Sequence, residues 1–317
     1  MPDEQCQRTG WSRLPSLNRG PSDRADLAVM ADLQRCVVQF IHPGGEHGPE
    51  RAGGKRWNRG LHKRKFLRVP GEYLTARDGW AQADDLLFWG EWEPESDVSP
   101  IAAPVAAGPK FLHQPYYVRP RAYPGDLQNT DPFVFGDHFL YTLCRQTKPI
   151  GGRARPTFLR DLAAGSLILF GSFKGGGFVL DTAFVVADGI LHDAESWPSS
   201  LCGLISDTYA DVTMRPTYQT AWPHQLRLYC GATPATRLEG MFSFAPCLPV
   251  GVGSSGFARP TVALKDIITP GLMMGVKATR GVSLDAVVAL WNSVVKQVLD
   301  QELALGTRFD TPERRDS

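Results

Sequence analysis

Much of what would identify a chemistry is absent from this chain. Its six cysteines stand at 6, 36, 144, 202, 230 and 247, and no two are close enough to form a CxxC pair. That spacing argues against a zinc knuckle or ribbon. Nor does a chain of 317 residues with so few cysteines resemble a small secreted domain held by disulfides. Reduced, mostly buried thiols are the expectation. The first residues, MPDEQCQRTGWSRLPSLNRG, lack the apolar core of a signal peptide. No run reaches the roughly 18 apolar residues of a membrane-crossing helix. The expected compartment is therefore the cytoplasm, with no membrane partner. There is no GxSxG elbow and no internal repeat. A formal net charge of +1 announces no polyanionic partner for the chain as a whole.

What is present points to a β-rich fold. Pro (25) and Gly (32) are both high, which favours many turns over long helices. The near-neutral sum hides two opposed stretches. From Arg51 to Arg68 there are eight Lys/Arg and no acid, and from Asp84 to Asp97 there are six acids and no base.

Residues 1–32 are polar and Pro/Ser/Arg/Asp-mixed, as in a disordered or weakly ordered arm. A single globular domain is expected over 33–306, with a flexible tail over 307–317. Cys36–Ile41 (CVVQFI) is apolar on both faces and reads as a central strand. Residues 42–60 form a long Gly/Pro/charge-rich loop. Lys65–Val69 and Glu72–Thr75 suggest a hairpin about Pro70-Gly71. Asp85–Glu93 reads as a strand, and the Pro/Ala-rich stretch 99–109 as a linker and sub-boundary. Strands are also expected at Phe139–Arg145, Gln225–Tyr229 and Met241–Ala245. Gly165–Gly171 and Phe178–Val186 are expected to pair across a Gly-rich hairpin loop. Ser283–Gly306 is the one convincing helix: Ser283 caps it, Asp285 suits its first turn, Val287, Leu290, Trp291, Val294, Val295, Val298 and Leu299 form one stripe, and Gly306 stops it.

Motif by motif, the bland reading competes with the chemical one. Gly251-Val-Gly253-Ser-Ser-Gly256 matches GxGxxG, but it follows a Cys-Leu-Pro stretch and precedes Phe-Ala-Arg-Pro, where Pro260 blocks early helix growth. His42-Pro-Gly-Gly-Glu46-His47 has metal-ligand types but no helical ligand spacing, and a polar ligand-contacting loop fits it better. Asp84, Asp85, Glu91 and Glu93 suggest Mg²⁺ chemistry, against an acidic solvated face as the commoner outcome. Cys144 and His138 are near in sequence, which does not pair them in space. The basic stretch 51–68, with Trp57 and Phe66 among its cations, is the stronger cue: cations meet phosphates while rings stack on bases. Trp89, Trp92, Tyr116, Tyr117, Phe133, Phe135 and Tyr141 add aromatic surfaces beside strands and turns.

The stretch from about 111 to 186 resembles PUA-like domains, in particular the EVE, ASCH and nucleotide-modification-associated families. The likeness lies in NTDPFVFGD (129–137), Thr-Leu-Cys (142–144), Leu-Ala-Ala-Gly-Ser-Leu-Ile-Leu-Phe-Gly-Ser (162–172) and the strand 178–186. It departs from the family pattern at Gly165, which is followed by Ser166. The resemblance implies a small pseudo-barrel with a pocket for a modified or flipped base, in proteins that often serve prokaryotic restriction or RNA-modification systems.

The expected fold is thus α+β: a curved or barrel-like mixed sheet, PUA-like, with the C-terminal helix packed on it. The expected function is recognition of DNA or RNA, with no catalytic residue, cofactor or metal assigned. Trp89, Phe133, Phe135 and Tyr141 would stack on the base, while Asn129, Asp131 and Ser172 would bond its edge. Arg56, Arg59, Lys63, Arg64 and Lys65 would hold phosphates. Two alternatives stay open. One is a metal-dependent enzyme acting on nucleotides or nucleic acid through Glu91/Glu93 or the 42–47 loop. The other is a non-catalytic subunit that binds a protein partner in a defence system.

Overall fold

The computed structural model describes residues 33–316, apart from 152, 220–224, 254, 270 and 273. The expected N-terminal arm lies outside the described residues. The strands, in chain order, are β1 (Cys36–Ile41), β2 (Gly54–Lys55), β3 (Lys65–Leu74), β4 (Gln82–Gly90), β5 (Ser96–Pro100), β6 (Phe111–Val118), β7 (Leu140–Tyr141), β8 (Thr147–Ile150), β9 (Arg153–Pro156), β10 (Leu167–Lys174), β11 (Gly177–His192), β12 (Leu226–Gly231), β13 (Ala245–Pro249), β14 (Gly275–Arg280), β15 (Ala304–Phe309) and β16 (Glu313–Arg315).

The all-apolar run of β1 is buried along its whole length, between β14 on one side and β10 on the other. β1 runs parallel to β10, which folds back on β11 as a hairpin. The turn of that hairpin is Gly175-Gly176, both at positive φ (62° and 84°), a geometry that glycine adopts without steric cost. These strands belong to a six-stranded sheet in the order β14–β1–β10–β11–β12–β7.

The second sheet closes on itself. β15 pairs with β13, β13 with β4, β4 with β3, and β3 again with β15, all antiparallel, so four strands form a closed barrel. Closure brings the backbones of β3 and β15 unusually near: a Cβ on Gly71 would lie 2.3 Å from the carbonyl oxygen of Arg308. Phe88 and Phe309 face one another inside, with ring centroids 4.0 Å apart. β6, β5 and β2 extend this sheet outward, and β16 adds to β6. The architecture is therefore mixed α+β, mostly sheet, with a closed barrel. The barrel is built from the regions flanking residues 111–186, whereas that segment itself supplies β6 through most of β11.

Several local expectations change for identifiable reasons. β3 runs straight through Pro70-Gly71 with no turn, because Gly71 is needed flat for the barrel crossing and not for a reversal. The stretch 99–109 links no domains. Pro100 pairs with Phe111, so the segment between β5 and β6 is the loop of one hairpin. The strand expected at 139–145 is cut to Leu140–Tyr141 before a turn in which Arg145 takes a φ of 59°. The expected strand at 241–245 instead begins at Ala245.

The helix spans Leu284–Leu299 with Ser283 as its cap, the hydroxyl accepting from the Ala286 amide, and with Asp285 in its first turn. Val287, Trp291, Val294, Val295 and Val298 are its buried face. Trp291 donates its indole N–H to the Phe242 carbonyl (3.0 Å). Gly306 is no stop; it sits in β15, and the supposed tail from 307 onward completes the barrel and adds β16. No helix among the described residues is long and apolar enough to cross a membrane.

Candidate functional site

Antiparallel pairing of β3 with β4 sets Lys65 opposite Gly90, so the start of one strand and the end of the other meet at the same edge. That edge delivers Arg64 from one side and Glu91 and Glu93 from the other. The six-stranded sheet meets it there. His42 follows the last residue of β1 and ties its amide to the Gly171 carbonyl at 2.8 Å. The chain then crosses to the second sheet, where His47 N donates to Arg64 O and Arg64 N to Gly45 O, both at 2.8 Å. His42, His47, His62, Arg64, Glu91 and Glu93 thus collect at the seam between the sheets.

All of these except His62, a quarter exposed at its side chain, are buried. His62 Nδ1 lies 2.7 Å from Glu91 Oε1 and 3.0 Å from Glu93 Oε1. The other oxygen of each carboxylate has its own partner. Glu91 Oε2 is 3.4 Å from Arg64 Nη1, and Glu93 Oε2 accepts from Asn58 Nδ2 at 2.5 Å. Arg64 Nη2 also touches His42 Nδ1, and Arg64 Nε donates to Asp181 Oδ2 at 2.8 Å. Asp181 Oδ1 in turn meets Arg259 Nη1 at 3.3 Å, and Arg259 Nη2 reaches the Gly44 carbonyl at 2.8 Å. A chain of alternating charges therefore runs from Glu91 back to the loop that carries His42 and His47.

The network is incomplete. His42 Nε2, His47 Nε2 and both Glu91 oxygens are buried without a formed hydrogen bond; the Glu91–His62 contact is close but not aligned as one. Each such orphan ordinarily costs about 1–3 kcal/mol. Four at one seam are not explained by stability alone.

Titration follows the burial. His62 is lifted to about 11: burial opposes its charge, but the two carboxylates outweigh it. His42 is held well below the usual histidine range by burial and by the Arg64 charge. His47 is pulled down to about 3, mainly by burial, with Glu93 opposing. Burial pushes Glu93 up, yet its bond to His62 and the surrounding cations hold it below the ordinary carboxylate value.

A cavity of about 300 Å³ opens over this seam, walled by Phe40, Ile41, His42, His62, Gln128, Cys144 and Arg145. Leu61 (76% exposed) and Met274 (59% exposed) form apolar lips at its mouth. Arg145 is exposed on the wall, and exposed Arg59 and Lys63 flank the lining residues Gly60–His62.

The residues expected to contact a base lie elsewhere, in the core. Phe133 and Phe135 are 1% exposed and pack edge-to-face on each other, on Tyr209 and on Trp92. Tyr141 stacks on Tyr229 and gives its hydroxyl to the Cys144 carbonyl at 2.7 Å. Trp89 donates to the Phe257 carbonyl (2.8 Å), and the Arg259 guanidinium lies 5.3 Å from its ring centre. Asn129 bonds Thr217, and Ser172 accepts from Arg259. Asp131 accepts three backbone amides, those of Thr142, Leu143 and Cys144, while burial raises its pKa to about 6. None of these seven lines the cavity.

The basic stretch divides in two. Arg56, Arg59 and Lys63 are exposed, and Arg59 shares an open ion pair with Asp126. Arg64 and Lys65 are buried and cannot meet a phosphate. Lys65 donates to the Pro94 carbonyl at 2.9 Å, and burial draws its pKa to about 7. Trp57 and Phe66 are also buried. Glu91 and Glu93 do share a face, but it faces the seam and not solvent.

His62 is the functional candidate that sequence reasoning missed. The signal was the hairpin register: with β3 and β4 antiparallel, the residues just before 65 lie beside those just after 90. Among the described residues Cys36, Cys144, Cys230 and Cys247 are free thiols, while Cys202 is disulfide-bonded, against the expectation of reduced thiols; Cys144, on the cavity wall, has its thiol pushed well above its usual pKa by burial and by Asp131. The GxGxxG stretch holds only a four-residue helix, Val250–Gly253. No family model, no curated protein and no solved structure matches the chain.

Proposed function

We propose that the chain is a nucleic-acid-binding module that takes a base, flipped or single-stranded, into the cavity over the seam. The observation that carries this reading is the cavity itself: about 300 Å³, apolar at its lips through Leu61 and Met274, with His42, His62, Gln128 and Arg145 in its lining, and flanked by exposed cations. That volume sits at the lower end of small-ligand sites, roughly 300–1,000 Å³. A base entering between Leu61 and Met274 meets Gln128, His62 and Arg145 at its edge, while Arg59, Lys63 and Arg56 meet phosphates. The PUA-like resemblance belongs to this reading, since its segment contributes Gln128, Cys144 and Arg145 to the wall.

The test is a fluorescence-anisotropy titration against single- and double-stranded DNA and RNA at two salt concentrations. A triple variant, Arg59→Ser, Lys63→Ser and Arg145→Ser, is expected to bind about tenfold or more weakly and to flatten the salt dependence by roughly one unit of log–log slope per lost phosphate contact. Absence of binding at low salt, or an unchanged triple variant, sinks the proposal. A second reading, an enzyme acting on nucleotides or nucleic acid, is favoured by one observation: the convergence of Glu91 and Glu93 on His62, which lines the cavity.

A further inference from the structure

One ligand atom from each of His62, Glu91 and Glu93 lies within 4.8 Å of the others, and His62 is the member of the set that lines the cavity. Donors in a four-coordinate shell with bonds of about 2.0–2.2 Å sit roughly 3.4 Å apart. His62 Nδ1 stands 2.7 and 3.0 Å from the two oxygens, so an ion would displace the proton between them and part the atoms by small side-chain rotations. Their directions are already constrained. Arg64 takes Glu91 Oε2 and Asn58 takes Glu93 Oε2, so each Oε1 is turned toward His62 Nδ1. Outer partners that hold the second oxygen of a carboxylate are the usual means of fixing a ligand set.

A second observation lies outside the three residues: His42, 7% exposed, lines the cavity and leaves Nε2 without a hydrogen bond. Within the cluster, Glu91 is ion-paired with His62 and Arg64 but neither of its oxygens forms an aligned hydrogen bond. Buried polar groups are normally satisfied; the Glu91 oxygens lack a full lone-pair acceptor, and His42 Nε2, which carries the ring proton because Nδ1 faces the Arg64 guanidinium, lacks an acceptor such as an ion-bound water.

We propose that His62, Glu91 and Glu93 bind one divalent transition ion, of the Zn²⁺ or Mn²⁺ class, behind the His62 wall of the cavity. The imidazole selects this class over Mg²⁺ and Ca²⁺, which prefer all-oxygen shells. Three protein ligands leave a coordination position facing the cavity, the arrangement of catalytic rather than structural sites. His42 stands beside that position. Asp181, Arg64 and Arg259 keep the floor rigid and temper the charge of the carboxylates.

The test uses the full-length chain, stripped with a chelator and titrated by calorimetry with Zn²⁺, Mn²⁺ and Mg²⁺ without nucleic acid. One equivalent of Zn²⁺ or Mn²⁺ is expected, with Mg²⁺ weaker. Asn58→Ala is expected to weaken binding about 10–100-fold as an outer partner, and His62→Ala by more. The Co²⁺ form should show visible bands of nitrogen/oxygen ligation that vanish in His62→Ala. No saturable binding by the wild type, binding unchanged in His62→Ala, or Mg²⁺ bound more tightly than Zn²⁺ overturns the proposal. Glu93→Gln is the harsher variant; should it unfold, His62, a quarter exposed, still carries the test. Because nucleic-acid binding is measured in chelator and metal binding without nucleic acid, each reading fails on its own.

Discussion

The aromatic band around Phe133, Phe135 and Tyr141 and the charged seam of His42, His62, Arg64, Glu91 and Glu93 are both buried, but they differ in completeness. In the band, rings meet edge-to-face at 5.1–5.2 Å, the Trp92 and Tyr141 handles have partners, and among the described residues the Tyr209 hydroxyl is the one buried polar atom there without a hydrogen bond. In the seam, charges are paired but four polar atoms have no hydrogen bond. The same contrast holds within one residue type. His192 has both ring nitrogens engaged, by Thr142 (2.7 Å) and Tyr218 (2.8 Å), whereas His42 leaves one free beside a cavity. Aromatics in a β-rich chain are first of all core, because burying them is the main source of stability. Incomplete polar networks are what a core avoids, so they mark the site better than rings do.

Substitutions can break or sharpen this contrast. The largest effect is expected from Arg64→Met, which leaves buried Glu91 with His62 alone and buried Asp181 with Arg259 alone and should cost roughly 3–5 kcal/mol in urea unfolding. Unfolding within about 1 kcal/mol of the wild type would mean that the seam is wetter than its burial implies. Phe135→Ala should cost a similar ~3–5 kcal/mol through the cavity it opens, while the surviving folded fraction keeps its affinity for nucleic acid. A selective loss of affinity would return the aromatic band to the site.

The next prediction concerns pH. Burial depresses the His192 pKa to about 4, with Asp193 opposing. The unfolded chain therefore takes up this proton first as pH falls below about 6.5. The stabilisation is fully present above that value, is lost as pH falls toward 4, and loses nothing further below it. The span corresponds to roughly 3 kcal/mol. His47 and His113, each lowered to about 3 by burial, act in the same direction. The difference between wild type and His192→Gln in unfolding free energy should thus shrink between pH 7 and 4.5; a constant difference would show that His192 does not titrate as its surroundings require.

The smallest stability effect belongs to the rim. Leu61→Ser should change unfolding by no more than about 0.5 kcal/mol, since Leu61 is exposed. It should nevertheless weaken binding of single-stranded oligonucleotides severalfold in anisotropy titrations, and unchanged binding would remove Leu61 from the mouth of the site.

Much of the fold was legible from local pattern. The apolar run of β1, the β10–β11 hairpin with its glycine turn, and the Ser283-capped helix are all set by near neighbours in the chain: burial periodicity, turn chemistry and capping act over a few residues. The β-rich α+β class followed from the same signals. The cavity and its floor were not legible, although Glu91, Glu93, His42 and His47 each drew notice. Separately, each had a blander reading. What joins them is the register of β3 on β4 and the crossing of residues 45–47 from one sheet to the other. Closure of the barrel likewise rests on Gly71 and Gly306, which locally read as a turn and a helix stop. The sequence alone determined which segments become strands and helix, because those preferences are local. The tertiary structure alone decided which charges are buried together, because that depends on pairings between segments far apart in the chain, and the same lysine or arginine pattern suits a wet surface and a dry seam equally well.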